Sequence, residues 1–139
     1  MNNSEKSDQL MKFFNDTDWD GWKGLIADNA TMEDMAVGKK CIGVDEVLGY
    51  AQSWKTGFPD MTGTCENRLE CGNTLVEECT WTGTNTGNLS APDGSSIPAT
   101  GKTVTVKNAM IWEFENGKVK SCKNYLDMMS MLGQLGLLD

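Results

Sequence analysis

The sequence predicts an α+β domain: N-terminal helices packed in a curved antiparallel sheet, with a short C-terminal helix closing it into a cone with an interior. Three observations lead there. Apolar residues recur at helical spacing through the first third of the chain. From Thr62 the pattern switches to period two and holds it to about Leu126. The tail returns to helical spacing.

Ser4 reads as the cap of a first helix over Glu5–Asn15, with Leu10, Phe13 and Phe14 on its inner side. A second short helix follows Asp18 and carries Trp19, Trp22, Leu25 and Ile26. Ala30–Ala36 reads as a weak strand. A third helix starts after Gly43, with Val44, Val47, Leu48, Ala51 and Trp54 in one stripe, and stops before Phe58-Pro59 because a residue preceding proline avoids the α region. Cys65, Leu69 and Cys71 then alternate with Glu66, Arg68 and Glu70 up to a Gly72-Asn73 turn. On the next strand Leu75, Cys79 and Trp81 share a face, and Val76, Glu78, Thr80, Thr82 and Thr84 share the other. Gly87–Pro98 is a loop. A long strand follows, with Val104, Val106, Met110, Trp112 and Phe114 facing one way, and Asn116-Gly117 turns it into a last strand over Lys118–Leu126. Met128, Met131, Leu132 and Leu135 make the closing helix. No repeat or linker interrupts residues 1–139, so one domain is expected.

Composition narrows the chemistry. Twelve basic against 20 acidic residues give a net charge of −8, a field that repels phosphate backbones and anionic lipid, so neither nucleic acid nor a membrane surface is an expected partner. With no histidine, a Ser-His or Cys-His nucleophile pair, an imidazole base and a His-ligated metal are ruled out; proton transfer falls to Asp, Glu, Lys, Tyr or Cys. The five cysteines contain no C-x-x-C and read as reduced, largely buried thiols. Met1–Asp8 is polar and no run reaches membrane-span length, which makes a cytoplasmic location the expectation.

Polar residues on apolar faces mark the candidate interior. Asn108 interrupts the Val104–Phe114 face, Asn85 follows the parity of Trp81, and Val119, Ser121, Lys123, Tyr125 and Asp127 share a parity if no bulge intervenes. Trp54, Phe58, Trp81, Met110 and Trp112 supply an adaptable apolar lining. Plain structural readings stand beside these. The aromatic and Met residues serve equally as core, the two Asn as strand-pairing or bulge residues, and Lys123 as a solvent-facing amine. Asp127 precedes the last helix and reads equally as its N-cap.

Phe58-Pro59-Asp60-Met61, Gly83-Thr84-Asn85-Thr86-Gly87, Pro98-Ala99-Thr100-Gly101-Lys102, Asn116-Gly117-Lys118-Val119, Tyr125-Leu126-Asp127 and Gln134-Leu135-Gly136, in that order, resemble the SnoaL-like polyketide (ester) cyclases of the NTF2-like, ketosteroid-isomerase-like group. The resemblance runs over nearly the whole chain and implies a cone-shaped fold and a homodimer. It also implies chemistry without metal or organic cofactor on a small, apolar, carbonyl-containing molecule, with Asp127 as acid/base for enolisation and aldol-type ring closure. Asn108, Asn85, Tyr125 and Trp112 become candidate donors to the enolate oxygen or shaping groups. Family members commonly carry His in the segment where Asn85 stands. Limonene-epoxide-hydrolase-like chemistry needs an Asp–Arg–Asp set, and Arg68, the single arginine, has the parity of a solvent-facing residue. Three readings follow: an enzyme, with a cavity of about 300–1,000 Å³ and Asp127 in its wall; a non-catalytic small-molecule binder; and a structural homodimer built on the outer sheet face.

Overall fold

The computed structural model describes residues 1–138. Helix α1 (Asn3–Asn15) begins earlier than Ser4 suggested, because the Asn2 side chain accepts from the Glu5 amide at 2.8 Å and takes the N-cap. Asp18 caps α2 (Trp19–Gly24) through the Gly21 amide. β1 (Ile26–Asp34) starts four residues before the weak apolar pattern at Ala30, and a short β2 (Lys39–Ile42) pairs with it. Helix α3 spans Val44–Gly57, then come β3 (Thr62–Cys71), β4 (Thr74–Thr84), a small hairpin β5 (Leu89–Ser90) and β6 (Ser96–Ile97), β7 (Thr103–Glu115), β8 (Lys118–Leu126) and α4 (Met128–Leu135).

The main sheet runs β2-β1-β8-β7-β4-β3. It is mixed rather than wholly antiparallel: β1 lies parallel to β8, a strand from the far end of the chain. No hairpin makes that contact, and the local pattern therefore does not announce it.

Two bulges set the faces. Cys65 pairs with Cys79 but Asn67 with Glu78, which makes Glu66 the extra residue of β3. Glu113 pairs with Ser121 but Phe114 with Val119, which makes Lys120 the extra residue of β8. Each bulge reverses the side-chain parity beyond it. Leu69, expected inside with Cys65, is therefore 65% exposed, and Arg68, expected in solvent, turns inward. On β8 the inward residues after Val119 are Cys122 and Asn124, while Lys123 and Tyr125 face out.

The core lies between the sheet's inner face and the helices. Leu10 and Phe14 of α1, Val47, Tyr50 and Ala51 of α3, and Val104, Val106, Met110, Trp112 and Phe114 of β7 form it with Met32, Leu75 and Cys122. Beyond the end of β8, the Gln134 side chain of α4 takes over as partner of β7, accepting from the Thr105 amide at 2.7 Å and donating to its carbonyl at 2.8 Å. No helix among the described residues is long and apolar enough to cross a membrane.

Candidate functional site

Between α1, α3 and the inner sheet face lies an interior cavity of about 90 Å³. Its wall is mostly apolar: Leu10, Met11, Phe14, Trp22, Met32 and Met61 contribute, with Trp54, Trp81, Met110 and Trp112. The volume is well below the ~300 Å³ at which small-molecule pockets begin. Four unbranched, adaptable Met side chains in the wall are the groups a larger guest would displace.

A chain of polar side chains runs through this apolar wall. The Trp81 indole N–H donates to Asn108 Oδ1 at 3.0 Å. Asn108 Nδ2 donates to Asn124 Oδ1 at 2.9 Å, and Asn124 Nδ2 donates to the Tyr50 hydroxyl at 3.1 Å. Tyr50 in turn donates to Asp34 Oδ2 at 2.7 Å. Every bond points the same way, toward the carboxylate. Asp34 is 3% exposed, has no ion-pair partner among the described residues, and holds the Ala36 amide with its other oxygen at 2.9 Å. Burial, reinforced by the facing Asp34 carboxylate, pushes the Tyr50 hydroxyl far above its ordinary range. The phenol is thus held protonated. Each Asn amide carries two N–H groups, and both Asn108 and Asn124 use one within the chain.

A second carboxylate, Glu77, also borders the cavity. It is held by the Trp112 indole at 2.7 Å, the Ser7 hydroxyl at 2.6 Å and Arg68 Nε at 3.1 Å. These three donors, one of them the Arg68 cation, fix the orientation of the carboxylate.

Of the residues singled out from the sequence, Asn108, Trp54, Trp81, Met110 and Trp112 line the cavity. Four lie elsewhere. Phe58 is fully buried beside Trp54, behind the cavity wall. Asn85, also fully buried, ties loops: it donates to the carbonyls of Gly57 at 3.0 Å and Gly87 at 2.8 Å, and accepts from the Thr100 amide and hydroxyl. Tyr125 is 44% exposed on the outer sheet face. Asp127 is exposed as well; its carboxylate caps α4 by accepting from the Ser130 amide at 3.1 Å, and it borders a shallow outer depression with Tyr125 and Lys107. The Lys120 bulge is the reason for the last two placements, because it exchanges the faces of the final strand.

Tyr50, Asp34, Asn124 and Glu77 were not singled out. Tyr50 lies on the α3 stripe with Val47, Ala51 and Trp54, and Glu77 shares the parity of Leu75 and Cys79, so both carried a signal. Asp34 continues the alternation of Ala30 and Met32. Asn124 carried none without knowledge of the bulge.

The model of the SnoaL-like polyketide cyclase family matches residues 7–135. No match is found among curated proteins. Solved structures share the fold. A candidate SnoaL-like polyketide cyclase from Jannaschia sp. CCS1 superposes with a TM-score of 0.86 at 17% identity, over 99% of this chain and 93% of its own. IdmH of Streptomyces antibioticus, a candidate polyketide cyclase, gives 0.80 at 23% identity over 96% and 97%. A protein of ketosteroid-isomerase-like fold from Catenulispora acidiphila DSM 44928, in complex with trimethylamine, gives 0.77 at 17% identity over 95% and 92%. With a family model spanning nearly all of the chain and an interior, helix-covered cavity on a curved mixed sheet, the protein belongs to the SnoaL-like polyketide cyclase family.

Proposed function

We propose that this chain is a cyclase- or isomerase-type enzyme acting without cofactor on a small, largely apolar carbonyl compound held in the interior cavity. The observation that carries this reading is the directed chain Trp81–Asn108–Asn124–Tyr50–Asp34 set in an otherwise apolar wall. The unused amide N–H groups of Asn108 and Asn124 are fixed donors for a carbonyl oxygen, and they stabilise the enolate as negative charge develops there. The proton leaving the adjacent carbon passes to the Tyr50 oxygen as Tyr50 gives its own proton to Asp34 Oδ2. The pair gains one proton, and the substrate carries the electron pair as enolate. In ring closure the enolate carbon bonds to a second carbonyl carbon of the same molecule, and the resulting alkoxide takes the proton back through Tyr50. In isomerisation the proton returns to a different carbon.

Asp127 stays outside this scheme. Its carboxylate faces the outer surface and holds the α4 N-terminus. The cavity's small volume of about 90 Å³ favours a second reading, a binder that does not turn its ligand over.

Deuterium exchange at the α-carbon of a panel of cyclic and open-chain 1,3-dicarbonyls in D2O separates the two, because it detects enolisation whatever step follows. Exchange faster than in buffer, lost in Tyr50→Phe and Asp34→Asn and kept in Asp127→Asn, supports the enzyme. Quenching of the cavity tryptophans by these compounds with no added exchange supports the binder. Exchange that survives Tyr50→Phe but disappears in Asp127→Asn sinks the assignment to the Tyr50–Asp34 pair.

A further inference from the structure

On the α1 side of the sheet, β3 and β4 place Cys65 directly opposite Cys79, and the Glu66 bulge brings Arg68 round to face Glu77. The two sulfur atoms and a Glu77 carboxylate oxygen all lie within 4.8 Å of one another. We propose that Cys65, Cys79 and Glu77 form a binding site for a thiophilic divalent cation of the zinc type, independent of the reaction chemistry proposed above.

The geometry is close to that of a metal site. Cys65 Sγ stands 3.6 Å from Glu77 Oε2. In a tetrahedral zinc centre with bonds of ~2.3 Å to sulfur and ~2.0 Å to oxygen, neighbouring S and O ligands are about 3.5 Å apart. The fourth carboxylate contact, from the Cys65 thiol to Oε2, is the one a metal replaces. The Trp112 indole on Oε1 and the Ser7 hydroxyl and Arg68 Nε on Oε2 remain, and they fix the carboxylate as outer-shell partners fix metal ligands.

Charge decides which cation fits. Glu77 and Asp8 together face one cation, Arg68, so the cluster already carries one net negative charge with both thiols protonated. One divalent cation displacing two thiol protons leaves the total unchanged, so the poorly solvated cluster gains no charge on loading. A monovalent ion adds a negative charge under the same exchange. Hard cations such as Mg²⁺ and Ca²⁺ require oxygen cages that two sulfurs and one carboxylate do not supply. The groove between α1 and β3, bordered by Asp8, Met11, Lys12 and Thr64, reaches the half-buried Cys65 and is the route of access to the cluster.

The test is titration of the reduced full-length chain with Co²⁺, an optical stand-in for Zn²⁺, followed by competition with Zn²⁺. The expected result is one equivalent bound, a thiolate-to-metal charge-transfer band, and release of two protons. Cys65→Ser and Cys79→Ser should each lower the affinity by more than the ~10–100-fold typical of losing an outer-shell partner, and Trp112→Phe by about 10-fold. Cys71→Ser, at an exposed thiol outside the cluster, should change nothing. NMR of the unsubstituted chain guards against variants that fail to fold: the Cys65 and Cys79 Cβ signals should move on loading while those of Cys41 and Cys122 stay. Absence of the charge-transfer band, a band that follows Cys71, or shifts at Cys41 or Cys122 instead overturns the site.

Discussion

The Tyr50 hydroxyl donates to Asp34 at 2.7 Å with both groups buried, so a helix and a strand are joined by a phenol that has almost no access to water. Burial and the carboxylate raise the Tyr50 pKa in the folded state. For an acid this means the native chain holds a proton that the unfolded chain releases at about pH 10. The stabilisation is complete below that pH and declines as pH rises beyond it. Denaturant titrations between pH 8 and 11 should show stability falling above about pH 10, and Tyr50→Phe should flatten that limb. An alkaline limb unchanged by Tyr50→Phe would contradict the burial of this hydroxyl.

Asp127 holds the first turn of α4 through the Ser130 amide. Asn is an equally good N-cap, so Asp127→Asn should leave stability within a few tenths of a kcal/mol, whereas Asp127→Ala should cost about 1 kcal/mol. Chemical denaturation of both variants measures the difference. Equal losses in the two would show that charge, not capping, is what this residue provides.

Arg68 and Glu77 form an ion pair under α1, with Glu77 3% exposed. Removing the cation strands a buried carboxylate, so Arg68→Ala should lose about 3 kcal/mol or more. Its other partner, Asp8, is mostly exposed, and Asp8→Ala should lose under about 1 kcal/mol. Thermal unfolding of the two variants side by side reads the contrast, and a milder effect from Arg68→Ala than from Asp8→Ala would refute it.

Gly87 packs directly against the Thr56 carbonyl, in the path an added Cβ would take. The obstacle is backbone at the end of α3, held also by the Asn85 bond to Gly57, and it has no rotamer by which to yield. Gly87→Ala should destabilise by about 1–3 kcal/mol. At Gly72, where an added Cβ meets nothing but φ is +59°, the cost of alanine comes from backbone strain alone and should be nearer 1 kcal/mol. Comparing the two variants by denaturant midpoint separates steric from conformational cost.

The sequence by itself determined the α+β class, the three N-terminal helices, the β3–β4 and β7–β8 hairpins and the closing helix, because each depends on contacts close in the chain: apolar spacing, caps and two-residue turns. It also led to the inward face of β7, where strict alternation from Val104 to Phe114 runs without a bulge and carries Asn108, Met110 and Trp112 to the cavity. Tertiary structure alone decided the rest. The parallel seat of β1 against β8 joins segments some ninety residues apart, with no local turn to signal it. The bulges at Glu66 and Lys120 depend on how each strand meets its neighbour, and a single extra residue exchanges inside for outside. That exchange sends Asn124 into the cavity and Tyr125 away from it, leaves Asp127 as a helix cap, and turns Arg68 in toward Glu77. Tyr50 and Asp34 meet only because α3 folds back over β1, and the polar chain they complete exists in no stretch of sequence read alone.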